Sequence, residues 1–164
     1  MPYTPIIATL GYVLSADGQQ VLMIHRDARP DDLHYGKYNG LGGKVERAED
    51  VASGMRRELL EEAGIEAVDL NLRGTISWPG FGKYGEDWLG FIFIIAGWRG
   101  TPLTHNPEGT LEWVPVQQVL DLSLNLWPGD RYFLPLVFSA DLRQFHGVMP
   151  YQDGQPLGWA YTLI

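Results

Sequence analysis

Apolar residues recur along this chain at two spacings, and the places where one gives way to the other mark its elements. Alternating or continuous apolar blocks predict strands at Ile6–Leu14 and Gln20–His25, joined by the turn Ser15-Ala-Asp-Gly18 as a hairpin. A polar loop from Arg26 to Lys37 follows. Val51, Ala52, Met55, Leu59 and Ala63 then form a stripe at helical spacing, which predicts a helix beginning near Glu49 and ending at Gly64. Further strands are expected over Asp69–Ile76 and Asp87–Trp98, the second around the buried-looking run Trp88-Leu-Gly-Phe-Ile-Phe-Ile-Ile95, with Trp78–Gly85 as the loop between them. Leu111–Val114 reads as a short strand, Val116–Leu122 as a helix, and Arg131–Ser139 as a helix begun by Asp130. Phe145–Tyr151 and Leu157–Leu163 close the chain as two strands flanking an Asp153-Gly154 turn. The layout is α/β or α+β without repeats, and no linker divides residues 1–164 into separate domains.

Charge changes the picture of the first helix. Glu58, Glu61 and Glu62 stand at i, i+3 and i+4, so about 100° per residue gathers them within roughly one-third of the helix circumference. Like charges at i, i+4 cost a helix roughly 0.2–0.5 kcal/mol, and a divalent cation would convert that repulsion into binding. Three carboxylates of this kind are hard oxygen ligands suited to Mg²⁺ or Mn²⁺. The bland alternative is a solvated acidic face balanced by Arg56 and Arg57.

Composition excludes several classes of function. The 164 residues are 45% hydrophobic and 12% aromatic, enough for a substantial core. A formal charge of −8 argues against general binding to nucleic acid polymers or anionic membranes, although a small polyanion is still accessible if metal supplies the positive charge. The absence of Cys excludes disulfides, thiolate nucleophiles and Cys-ligated zinc. Met1-Pro-Tyr-Thr-Pro5 lacks the basic and apolar regions of a signal peptide and no apolar run approaches ~20 residues, so a cytoplasmic location is the expectation. His25, His34, His105 and His146 show no ligand spacing and are assigned no catalysis.

The complete segment is more specific than its helix. Gly43, five residues, Glu49, seven residues, then Arg57-Glu58-Leu59-x-Glu61-Glu62-x-Gly64-Ile65 resembles the Nudix box without a mismatch. Its seven fixed identities have a chance probability on the order of 10⁻⁹ per starting position. The resemblance implies a Nudix hydrolase with an α/β/α sandwich around a mixed sheet, a loop-helix-loop that holds divalent metal, and a substrate built on a nucleoside diphosphate. Tyr38-Asn-Gly-Leu-Gly-Gly-Lys-Val-Glu46, Trp127-Pro128-Gly129-Asp130 and Phe145-His146-Gly147 extend the likeness to the MutT-type oxidised-purine nucleoside triphosphatases of that family.

Chemistry assigns the parts beside that resemblance. Glu58 and Glu62, one turn apart, are the leading metal ligands, while Glu61 could bind a second metal or take a proton from water. Arg57 suits orientation of a box carboxylate, because its planar guanidinium binds two oxygens at once; its bland reading is a surface ion pair. Gly42-Gly43 permits close backbone approach, which makes the Gly42 carbonyl a candidate ligand and Gly43 a substrate contact, and Lys44 could meet phosphate. The resemblance adds Glu108 as a ligand outside the box, and Arg26 and Trp88 as pocket-lining residues. For the base, Asn39 offers an amide that donates and accepts, Asp130 a carboxyl, and Trp127 a stacking surface; otherwise the two Trp residues are core and Asp130 is a helix cap. Gly129 departs from the two adjacent acids of the related enzymes, and restoring one by Gly129→Asp is expected to broaden or strengthen acceptance of oxidised purines if the acid pair is what adapts to them. The expected reaction is Mg²⁺-dependent cleavage of a nucleoside triphosphate to monophosphate and pyrophosphate, with 8-oxo-dGTP as the leading substrate. ADP-ribose or a dinucleoside polyphosphate is the enzymatic alternative, and a non-catalytic nucleotide sensor the alternative of another class.

Overall fold

A computed structural model describes residues 1–164. The elements are β1 (Ile6–Leu14), β2 (Gln20–His25), β3 (Tyr38–Asn39), α1 (Val51–Ala63), β4 (Glu66–Trp78), β5 (Trp88–Arg99), β6 (His105–Asn106), β7 (Gly109–Pro115), α2 (Val116–Leu120), α3 (Asp130–Val137), β8 (Phe145–Val148), β9 (Tyr151–Gln152), β10 (Gln155–Pro156) and β11 (Ala160–Leu163). Nine strands form one sheet in the order β11-β8-β4-β5-β1-β2-β7-β6, with β3 also paired to β2. The β1–β5 and β4–β8 pairs are parallel and the others antiparallel, giving the expected mixed sheet.

Strand alternation divides the core between the two faces. Val13, Leu22, Ile24, Phe93 and Ile95 pack with Met55, Leu59 and Ala63 of α1, whereas Tyr12, Val21, Met23, Ile92 and Ile94 pack with Phe133, Leu134 and Val137 of α3 and Val119 of α2. Each strand feeds both layers because successive side chains point to opposite faces. The result is an α/β/α sandwich of α+β type, and no helix is long and apolar enough to cross a membrane.

Several boundaries differ from the sequence expectation. Helix α1 starts after Asp50, whose Oδ1 accepts the Ser53 N–H at 2.9 Å, so Glu49 lies outside it. Strand β4 is longer than Asp69–Ile76 because bulges between Ala67 and Leu70 and between Leu72 and Gly74 break its alternation without ending its pairing. Helix α2 stops at Leu120 instead of Leu122, which adopts φ 64°. Helix α3 includes Asp130, while Gly129 occupies the cap position with no side-chain cap bond; the capping role for Asp130 does not hold. The Asp153-Gly154 turn, with φ 52° and 76°, joins only the small β9–β10 hairpin, whereas β8 pairs with β11.

Candidate active site

The loop before α1 sets the chain for the acidic arc. Residues 41–45 run antiparallel beside β1, with Leu41 N–H on Gly11 O, Thr9 N–H on Gly43 O and Val45 N–H on Ile7 O, each at 2.9 Å. Gly42 has φ 152°, and a Cβ there would collide with the Thr9 carbonyl. At Gly43 a Cβ would lie 2.6 Å from Glu58 Oε1, so the bare backbone lets that carboxylate close onto the loop.

Arg57 ties this loop to the helix. Its Nε and Nη2 donate to both oxygens of Glu49, at 3.0 and 2.6 Å, and Nη2 also reaches Lys44 O at 3.1 Å. Nη1 donates to Glu58 at 3.0 Å and Glu61 at 3.2 Å. The guanidinium beside Glu49, with the Glu46 N–H, holds its carboxyl down at about 2. Glu62 is the opposite case. Burial first, then the charges of Glu108 and Glu58, push its carboxyl far above the carboxylate range, against an opposing Gly42 N–H at 3.3 Å.

Glu108 joins from across the cleft. Arg26 Nη1 donates to it at 3.0 Å while Arg26 Nε donates to Asp32 at 2.7 Å. Asn106, a residue sequence reasoning passed over, accepts the Glu108 and Gly109 N–H groups on Oδ1 and donates from Nδ2 to Glu62 O at 3.0 Å. One side chain thereby fastens the Glu108 loop to α1. Its signal was legible as an Asx turn in Asn106-Pro-Glu-Gly109.

A cavity of about 760 Å³ runs from these carboxylates to an aromatic recess. Its wall includes Arg26, Asn39, Gly42, Gly43, Lys44, Arg57, Glu58, Glu62, Trp88, Glu108, Trp127 and Asp130. Glu61 is not in the wall; its side chain is 58% exposed at the rim, on Arg57. Trp88 keeps a buried Nε1–H without a partner, and the Lys44 Nζ lies 5.6 Å from its ring centre. In the recess, Trp127 is edged by Phe81 at 4.9 Å and carries the Lys37 ammonium 5.1 Å from its ring centre. Burial pushes the Asp130 carboxyl up to about 7, opposed by a Trp127 backbone hydrogen bond and the Lys37 charge. His34, Phe81 and Tyr151 also line the recess, and nothing in their local sequence marks them, since only the fold brings them together.

The Gly129 position is explained by Tyr151. The Tyr151 hydroxyl accepts the Gly129 N–H at 3.1 Å, and a Cβ on Gly129 would collide with that hydroxyl and with Met149 Sδ. The space that a second acid would need is filled, so a side chain at Gly129 would have to displace Tyr151 or Met149, which weighs against the expectation that Gly129→Asp restores a carboxyl pair.

Hard oxygen donors at one end of a cleft and an aromatic, hydrogen-bonding recess at the other suit an enzyme that grips a nucleotide by its phosphates and its base. The chain belongs to the Nudix hydrolase family, the NUDIX domain matching residues 4–137. It is 36% identical over 118 residues to the oxidized purine nucleoside triphosphate hydrolase of Mus musculus, covering 72% of each chain. It is 28% identical to the Nudix hydrolase YvcI of Bacillus subtilis, covering 85% of this chain and 83% of that one. Among solved structures, a MutT protein from Bacillus halodurans superposes with a TM-score of 0.80 at 27% identity, covering 95% and 97%. The protein is thus an enzyme of a family that acts on pyrophosphate bonds of nucleotides and generally uses divalent metal.

Proposed function

We propose that the protein hydrolyses a purine nucleoside triphosphate to its monophosphate and pyrophosphate, with an oxidised purine deoxynucleotide such as 8-oxo-dGTP as the leading substrate. The observation that carries this reading is the single cavity joining Glu58, Glu62 and Glu108 to Asn39, Trp127 and Asp130. The relatives named as oxidized purine nucleoside triphosphate hydrolases, at 36% and 30% identity, support the same substrate class.

The donor set fits Mg²⁺. Glu62 is half-buried beside two further acids, a concentration of negative charge that a hard divalent cation would neutralise. The carboxylates of Glu58, Glu62 and Glu108 do not close into a ready-made cage, so an ion held there would have to keep water and take part of its coordination from phosphate. Glu58, Glu62 and Glu108 would hold it, with the Gly42 carbonyl adjoining and Glu61 available from the rim. When bound, it supplies charge stabilisation for the phosphate oxygens and acidifies water. The chain's own residues do the rest. Arg57 holds Glu58 and the Lys44–Glu49 loop in register, and Gly43, without a Cβ, lets the Glu58 carboxylate close against that loop. Lys44 and Arg26 add positive charge along the phosphate path. Asn39, Trp127 and Asp130 receive the base.

A panel of nucleotides with Mg²⁺, with products identified by chromatography, tests the reading. Release of pyrophosphate and monophosphate from purine triphosphates, fastest with the oxidised forms, is expected. Turnover confined to ADP-ribose or dinucleoside polyphosphates would overturn it.

A further inference from the structure

His34, in the loop between β2 and β3, has no role in the reaction as described. Its ring lies 5.2 Å from that of Trp127 at 78°, and its Nδ1 is 2.8 Å from Trp127 Nε1 and 3.1 Å from Asn39 Nδ2. An indole N–H only donates, so Nδ1 must be an acceptor and the neutral ring carries its proton on Nε2. That tautomer decides the second contact. Asn39 has to turn its NH₂ toward the imidazole, because its carbonyl oxygen would find no donor there. The Asn39 Oδ1, which has no protein partner, is left for the cavity that Asn39 lines.

The surroundings keep the ring neutral. Burial lowers the His34 pKa to about 4, the charges of Arg26 and Lys37 act in the same direction, and Asp32 opposes them. Asp32 also anchors the loop, accepting the His34 backbone N–H at 3.1 Å and the Arg26 Nε–H at 2.7 Å.

We propose that His34 is a positioning residue for base selection, holding the Asn39 amide with its acceptor oxygen toward the ligand and the Trp127 indole at a fixed angle. The recess then favours a base edge with adjacent N–H donors, as guanine-type bases have, over an adenine-type edge that pairs a donor with an acceptor. This rests on the reading that a purine triphosphate occupies the cavity.

Two substitutions separate the hydrogen bonds from the bulk of the ring. His34→Asn keeps an acceptor near the place of Nδ1, and His34→Leu removes it. Steady-state kinetics with dGTP and dATP, and with their oxidised forms, should show His34→Leu losing about 10–100-fold in kcat/KM for the guanine substrates, mostly through KM, with the guanine-to-adenine ratio falling toward one. His34→Asn should hold that ratio within a few-fold. An unchanged ratio in His34→Leu, or an equal loss in both variants, would overturn the proposal. Nitrogen-detected NMR of the imidazole in the unmutated protein at pH 7 needs neither substrate nor variant. A neutral Nε2–H tautomer is expected, and an Nδ1–H tautomer or an imidazolium would refute it. If no triphosphate is turned over, the functional reading fails while the tautomer measurement still judges the role of His34.

Discussion

Replacing Asp130 by Asn should remove a pH-dependent weakness from the base recess. Burial raises this carboxyl from 3.8 to about 7, so the folded protein retains a proton that the unfolded chain gives up at lower pH. The stability attached to that proton is complete below the unfolded pKa and is lost as pH rises through about 7. At about 1.36 kcal/mol per tenfold change in proton affinity, the whole effect is at most ~4 kcal/mol, of which roughly 2.6 kcal/mol falls between pH 5 and 8. Asp130 lines an open cavity, so water screens it, and about half of that, ~1–1.5 kcal/mol, is the working expectation. For a chain of this size that corresponds to roughly 2–6 °C in Tm. Thermal unfolding of both proteins at pH 5 and pH 8, without nucleotide, reads the effect. The Asn variant should gain on the unmutated protein by that amount between the two values. Every other acid titrates in both proteins and cancels. Parallel Tm curves across this range would refute the assignment of a raised pKa to Asp130.

The remaining expectations concern the acidic arc and its glycines. Chelation should abolish turnover and Mg²⁺ or Mn²⁺ restore it, while Glu58→Gln or Glu62→Gln should lower kcat by at least ~10² in steady-state assays; undiminished turnover would remove them from the ligand set. Arg57→Lys keeps the charge but not the fork that grips Glu49 while reaching Glu58 and Glu61, so kcat/KM should fall about 10-fold or more, and an equal rate would show Lys to be sufficient. Gly42→Ala should cost on the order of 2 kcal/mol or more in urea unfolding, since φ 152° and the Thr9 carbonyl both oppose a Cβ. Gly129→Asp should destabilise the fold by roughly 1–3 kcal/mol in urea unfolding, through overpacking against Tyr151 and Met149, and reduce oxidised-purine turnover instead of improving it.

How much was legible depended on whether the information was local. The helix α1, its apolar stripe and its acidic arc all lie within one stretch of chain, where 3.6-residue periodicity decides which side chains share a face. The hairpin of β1 and β2 and the long β5 were likewise readable, because alternation and turn residues act between neighbours. The bulges of β4 and the exchange of partners among β8 to β11 were not, because pairing there depends on strands distant in sequence.

The sequence by itself determined the family, the mixed α/β architecture and the concentration of carboxylates, since each follows from residue identity at fixed short spacing. Tertiary structure alone decided which of those groups face one cavity. It fastened the Glu108 loop to Glu62 through Asn106, paired Glu108 with Arg26, left Glu61 at the rim, and filled the place of a second acid at Gly129 with the Tyr151 hydroxyl. It also turned His34, unremarkable in the chain, into the acceptor shared by Asn39 and Trp127, residues 5 and 93 positions away. Burial, proton affinity and amide orientation arise from neighbours in space, and no periodicity along the chain encodes those neighbours.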